Sequence, residues 1–359
     1  DEAQLLIRAK STWNGMEPLI LVDGIERDMN NLDANEIESI SILKDASATA
    51  VFGVRGGNGV ILVTTKRGRE GKPVVRMTAN AGVKNVSKVP EYLNSYEARW
   101  LRNQAIENQL PVDPSTWGYI TPVAELKHYR DQDLPYQYPD VNWQDEMLKK
   151  QAWTQKINLD IRGGTKFMKY FSSISYLYDG DILNSQDFGQ GYIPKNDYSR
   201  FNFRSNFDFL PTSTTTFSVD IDGASGKEHT MGAPAYLIWL GVYGKGPDDY
   251  PIRYEDGIFA NNLAGYYMEN PVELLNYGGM ITETRTDVNT TFSLNQKLDF
   301  ITKGLSFNGR VNFQNYYYSQ GPNIAESRMV TKYVDWRSGT EVWNYPIAYL
   351  NSKHGFNFI

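Results

Sequence analysis

The stretch Ser199–Leu210 alternates between apolar and polar residues along most of its length. Phe201, Phe203, Phe207 and Phe209 share one face, and Arg200, Asn202, Arg204, Asn206 and Asp208 share the other. A period of two is the signature of a β-strand with unlike faces. The pattern returns where Leu305, Phe307, Val311 and Phe313 oppose Ser306, Asn308, Arg310, Asn312 and Gln314. Val288–Phe300 repeats it, as do Trp153–Arg162, Tyr170–Tyr178, Thr215–Asp222 and, more weakly, Val75–Val83. Each of these strands is near the ~10 residues that a tilted membrane crossing requires.

The connections alternate too. Gly163–Lys166, Pro211–Thr214 and Ile301–Lys303 are tight turns, whereas 86–152, 180–198, 225–286 and 317–359 are long. Short turns at one end and long loops at the other are the asymmetry of an outer-membrane barrel. The expected fold class is therefore a membrane β-barrel, with about seven antiparallel strands present. An odd count does not close such a barrel, and an open edge in lipid leaves backbone groups unpaired. The expectation is an internal piece of a longer polypeptide. The lack of a leader at Asp1 and the immediate apolar run Leu5-Leu6-Ile7 agree with it.

Composition closes several other routes. A net charge of −6 gives no basic footprint, so no nucleic-acid partner is expected. No apolar run reaches the ~18 residues of a spanning helix. Without cysteine there are no disulfides or thiolate metal sites, and His128, His229 and His354 are too far apart in sequence to seed a zinc site. Asp179-Gly-Asp181 fails as a calcium loop because Leu183 takes a ligand position, and Asp220 and Asp222 instead face the lumen of the barrel. Gly53–Gly59 lacks the Gly-Lys-Ser/Thr ending of a phosphate loop. No cofactor, metal or catalytic residue is expected.

Residues 1–72 read differently, as a small α+β module ahead of the barrel at 73–359. Pro18–Val22 is a strand ended by the turn pair Asp23-Gly24. Asp33-Ala-Asn-Glu36 has capping-box spacing, and Ser39–Leu43 is a second strand. Asp45 caps a helix that Gly53 stops, and the glycines at 56, 57 and 59 lead into strand Val60–Thr65.

This module closely resembles the plug of the SusC/RagA-type TonB-dependent outer-membrane importers. The likeness lies in Val22-Asp23-Gly24, Ile37-Glu38-Ser39, Leu43-Lys44-Asp45-Ala46, Phe52-Gly53, Arg55-Gly56, Asn58-Gly59-Val60-Ile61 and Thr64-Thr65-Lys66. It continues through Asn142-Trp143-Gln144-Asp145, Gly163-Gly164, Tyr170, Tyr176, Tyr198-Ser199-Arg200 and Arg204-Ser205-Asn206. One departure is Ile7-Arg8-Ala9, where the family usually has Ile-Arg-Gly. The resemblance implies energised import of a large nutrient across the cell outer membrane of a Bacteroidetes-type Gram-negative bacterium. It implies a SusD-like surface lipoprotein as lid, the TonB complex as motor, and outer-membrane lipid around the barrel. The cargo it implies is an oligosaccharide first, with an oligopeptide as the alternative.

Particular residues follow from that frame. Trp13 and Asn14, between the first plug strands, would face the substrate, as would Trp239, Tyr243, Tyr266 and Tyr267 in the loop 225–286; the plain alternative is packing within the loops. Arg55 with Glu36 and Glu38 would form a plug latch, against the alternative of a local ion pair. Ser95–Leu110 reads as a helix with an apolar stripe of Tyr96, Trp100, Leu101 and Ile106. Trp153, Tyr178 and Tyr316-Tyr317-Tyr318 suit interfacial girdles. The competing readings are a non-transporting barrel, an adhesin or anchor, and a soluble β-rich domain that binds or hydrolyses glycans.

Overall fold

A computed structural model of the chain describes residues 18–29, 31–44, 50–88, 90–109, 114–262, 270–344 and, for the backbone, 354–358. The N-terminal module is a four-stranded sheet of β1 (Leu19–Val22), β2 (Ile25–Glu26), β3 (Ile37–Leu43) and β4 (Val60–Thr65), in the order β2-β1-β4-β3. Asp23 and Gly24 turn the chain with φ of 49° and 81°, as that residue pair foretells. The module's core is small. Val22, Ile61 and Val63 are buried, with Ile20, Met29, Leu32 and Ile37 packed on them. Asp33 caps the 3₁₀ turn Ala34–Glu36 by accepting from the Asn35 amide at 2.8 Å. The helix expected from Asp45 falls partly outside the described residues; from Ala50 to Gly56 the chain makes 3₁₀ turns broken at Gly53, where φ is 59°.

The wall begins at β5 (Gly71–Lys84) and continues through β6 (Ala152–Gly164), β7 (Met168–Asp179), β8 (Tyr198–Thr212) and β9 (Thr215–Met231). After the short β10 (Phe259–Ala260) come β11 (Met280–Lys297) and β12 (Ser306–Ile324), then β13 (Thr331–Asp335), β14 (Thr340–Asn344) and β15 (His354–Phe358). Every wall pairing is antiparallel, in the order β15-β12-β11-β9-β8-β7-β6-β5. The seven strands expected are all present, and β15 adds an eighth. β9, β11 and β12 run to 17, 18 and 19 residues, past the strict alternation, because backbone pairing continues where side-chain patterning has stopped. The loop expected at 225–286 therefore narrows to 232–279. The one expected from 317 contains the end of β12, the hairpin β13–β14 and β15.

The wall's two faces are chemically distinct. Ile157, Leu159, Ile174, Phe201, Phe292, Phe307 and Phe313 are exposed on the face away from the plug. Phe209, Phe217, Phe292 and Phe313 follow one another there, with ring centroids 6.3–6.4 Å apart. Asn158, Asn202, Arg204, Asn206, Asp220, Asp222 and Asn289 are buried on the other face, under the plug. Tyr316 and Tyr318 belong to that inner face, opposite Asp287 and Arg285 in register, so of the three only Tyr317 takes the girdle side.

The long loops fold into one body beyond the strand ends. It carries α1 (Ser95–Gln109), α2 (Val123–Asp131), α3 (Trp143–Met147), α4 (Ala235–Gly244) and α5 (Pro271–Tyr277). Trp143, Met147, Leu183, Ile238, Val242, Phe259, Leu275 and Val334 are buried together, so all four loop regions share one core. The apolar stripe expected on α1 turns out differently. Ile106 is buried, while Trp100 and Leu101 are exposed. Asn103 faces inward instead, donating to the Thr121 carbonyl and accepting from its amide, each at 2.8 Å. A buried backbone pair left without that amide would be unsatisfied, so this polar contact sets the helix's rotation.

The candidate plug–wall interface

Even-numbered residues of β8 and β9 and odd-numbered residues of β11 point at the plug, which is what a period of two allows. Across this seam the plug offers Arg27, Asp33, Glu36 and Arg67. Arg27 donates to the Asp222 carboxylate at 2.6 Å, to the Thr291 hydroxyl at 3.1 Å and to the Asn312 side-chain oxygen at 3.0 Å. Glu36 receives the Arg204 guanidinium at 2.8 Å and the Ser173 hydroxyl at 3.3 Å. Arg204 also reaches Asp222 at 3.3 Å, so one wall carboxylate is shared by an arginine from each side.

A second cluster pins the point where plug becomes wall. Arg67 makes two bonds to Asp220, at 2.5 and 2.7 Å, and approaches Asp208 at 3.4 Å. Asn206 donates to the Lys66 carbonyl at 2.8 Å. Asp23 ties the plug's own turn to β4, accepting from the Thr65 amide at 3.0 Å and its hydroxyl at 2.6 Å, while Arg310 of β12 donates to the Asp23 carbonyl. Asn202 donates to the Asn31 carbonyl at 2.6 Å.

Two buried carboxylates of this seam are shifted in opposite directions. Burial works against the charge of Asp33. The Asn35 amide, the Lys156 ammonium at 3.0 Å and the Ser175 hydroxyl outweigh it and hold the carboxyl below its ordinary value. Glu36 is pushed up, chiefly by burial, and the nearby Asp33 and Asp222 add to the effect that Arg204 opposes. Ions removed from water in this way are tolerated only when paired and hydrogen-bonded.

The latch expected from Arg55, Glu36 and Glu38 is wired otherwise. Glu36 bonds to the wall, Arg55 pairs with Glu26 within the plug, and Glu38 pairs with Arg69 at 2.7 Å on an exposed surface. Glu36 ends the 3₁₀ turn that Asp33 caps, which aims its carboxylate outward. It therefore does not close a capping box. Asp23 was read from the sequence only as part of its turn, and Arg27 and Arg67 were not singled out there. Their only signal there is position, just after the Asp23-Gly24 turn and just after the last plug strand.

Two concavities flank the plug. The one on the turn side, of about 650 Å³, is lined by Arg67, Lys169, Asp208 and Arg310 among others. The one on the long-loop side, of about 300 Å³, has Asp28 and Asn31 of the plug as its floor. In the loop body, Trp239 and Tyr243 of α4 are exposed and stack with centroids 5.9 Å apart at 12°. Trp13, Asn14, Tyr266 and Tyr267 lie outside the described residues.

Residues 4–60 match the family described as the TonB-dependent Receptor Plug Domain. The chain is 29% identical over 224 residues to the TonB-dependent receptor SusC of Bacteroides thetaiotaomicron, covering 57% of this chain and 20% of that protein. The likeness of the chain is thus to the SusC/RagA-type TonB-dependent receptors. A TonB-dependent receptor of Formosa agariphila is 30% identical over 272 residues, covering 71% of this chain and 24% of the relative. The chain thus spans about a fifth to a quarter of the length of these two relatives. In fold, the wall and plug resemble the RagAB peptide importer in its closed-closed state. The TM-score is 0.59 at 20% identity, covering 85% of this chain and 35% of that one.

Proposed function

We propose that this chain supplies the plug and part of the barrel wall of an importer that carries a large nutrient across the outer membrane under TonB control. The observation that carries the reading is the chemistry of the seam. The plug is held to the wall by ion pairs and hydrogen bonds, and its own buried core is only a few residues. Such an interface separates without exposing a continuous apolar surface, and water and counter-ions can resolvate its partners. An anchor or adhesin has no use for a removable plug.

The motor is the inner-membrane TonB complex, the lid a SusD-like lipoprotein, and the outer apolar face meets lipid. The cargo is moved, not chemically altered. The family resemblance favours an oligosaccharide, with an oligopeptide as the alternative. The plug latch is the Glu36–Arg204–Asp222–Arg27 chain, and Trp239 and Tyr243 are offered to cargo by α4. Deleting the receptor gene or the host's TonB should each abolish uptake of the same nutrient. Uptake that persists without TonB would sink the proposal.

A further inference from the structure

The latch residues also line a cavity of about 20 Å³, room for one water molecule and little more. Its lining includes Arg27, Leu32 and Glu36 of the plug and Arg204, Asp222 and Asn289 of the wall. Three polar atoms of these residues are buried and have no hydrogen-bond partner among the described residues: Arg27 Nε, Arg204 Nη2 and Asn289 Oδ1. The residues that carry them are nine-tenths or more buried. Their other polar atoms are committed. Arg27 uses its two terminal nitrogens on Asp222, Thr291 and Asn312. Arg204 bonds Glu36 through Nε and approaches Asp222 through Nη1. The Asn289 nitrogen donates to Asp222 at 3.1 Å and to Asp287 at 2.8 Å. That fixes the amide, so the group left over is its oxygen.

We infer that this cavity is the site of one bound water that is a working part of the latch, accepting from Arg27 Nε of the plug and Arg204 Nη2 of the wall and donating to Asn289 Oδ1. The inference deepens the latch of the import reading and rests on that reading for what the latch does. The chemistry of the three atoms decides the ligand. Two donors and one acceptor call for a group that both accepts and donates, as a water does with about three bonds. A halide could take both guanidinium protons, but it has nothing to donate to the Asn289 oxygen and would face the carboxylates of Glu36 and Asp222. A metal cation would be repelled by both arginines. An empty cavity would leave all three atoms unsatisfied, which buried groups rarely are. The water also relieves a local conflict. Arg27 and Arg204 share one carboxylate, Asp222, and a water oxygen turned to both guanidiniums offsets part of their mutual repulsion. It is nearly as good a link as a direct hydrogen bond, and it can leave and return as the seam opens and closes.

The test uses the full-length receptor in detergent. A high-resolution crystal structure should show one solvent peak within about 3.2 Å of all three atoms, with no anomalous signal there after a sodium bromide soak. A bromide peak at the site, or a dry cavity, would overturn the inference. Ala224 lines the same cavity, so two substitutions of nearly equal size read what the water does. Ala224→Val fills the space with methyl groups, whereas Ala224→Thr brings a hydroxyl that can accept and donate in the water's place. Hydrogen exchange of the Ile37–Leu43 amides should quicken about ten- to thirtyfold in the valine variant and less than about threefold in the threonine one. Equal effects of the two variants would count against a bridging water. So would a valine variant tighter than the unaltered protein, which is the effect of filling a dry cavity. TonB-dependent uptake is measured separately in cells. A water at the site with uptake that persists without TonB would refute the import reading and leave the site standing, and a dry cavity with TonB-dependent uptake would do the reverse.

Discussion

Replacing Arg204 by methionine isolates the central link between plug and wall. Arg204 is 1% exposed and bridges Glu36 at 2.8 Å and Asp222 at 3.3 Å. Asp222 would keep Arg27, but Glu36 would retain only the Ser173 hydroxyl. Removing one partner of a buried pair costs about 3–5 kcal/mol, because the other charge is stranded. Protonation sets a ceiling on that cost. Taking a carboxyl of ordinary value 4.5 to its neutral form at about pH 7.5 costs about 4 kcal/mol, three units at ~1.4 kcal/mol each. At about pH 5.5 the same route costs only about 1.4 kcal/mol. The plug of Arg204→Met should thus be loosened strongly near neutrality and weakly in mild acid. Hydrogen exchange of the Ile37–Leu43 amides, in full-length protein in detergent, reads this as roughly a thousandfold loss of protection at the higher pH and about tenfold at the lower. Adding Glu36→Gln should restore most of the protection by removing the stranded charge. A pH-independent loss, or a double variant as loose as the single one, would refute the reasoning.

Three further outcomes follow from the same geometry. In the unaltered protein the seam should tighten as pH falls from neutrality toward 4.5, because Glu36 with its raised pKa sheds an ionisation penalty. Below about 3.8 it should weaken as Asp33, whose pKa is lowered, loses the charge that its bonds favour; exchange of the same amides across pH shows whether the optimum exists. Gly68→Ala should destabilise the junction of plug and wall by about 1–3 kcal/mol, since a Cβ there would lie 2.2 Å from the Tyr170 nitrogen; the unfolding temperature of the barrel, read by gel mobility, checks it. Asn270→Ala should cost the loop body about 1–3 kcal/mol and speed its proteolysis. It removes the cap on Val272 and Glu273 and strands the Ile252 and Ala260 carbonyls.

The seven long strands, the face each residue of Ser199–Leu210 takes, the side on which the loops lie and the turn at Asp23-Gly24 were legible in the sequence. Each depends on a local rule: a period of two, a tight turn, a positive φ. The family likeness was legible for the same reason, because the plug motif is contiguous. The extra reach of β9, β11 and β12 was hidden, since hydrogen bonding to a neighbouring strand carries no mark in a strand's own pattern. The inward turn of Asn103 was hidden as well, because its partner, the Thr121 backbone, lies beyond the helix.

The latch marks the boundary most clearly. Residues 33–36 announce a capped turn, and Arg204 and Asp222 announce themselves as inward-facing polar residues. Nothing local joins Glu36 to Arg204, 168 positions away, or Arg27 to Asp222, 195 away. How the plug is turned within the wall is a tertiary matter, set by bringing every desolvated charge against an opposite one. Only that global constraint sends Glu36 to the wall and leaves Arg55 to a neighbour within the plug.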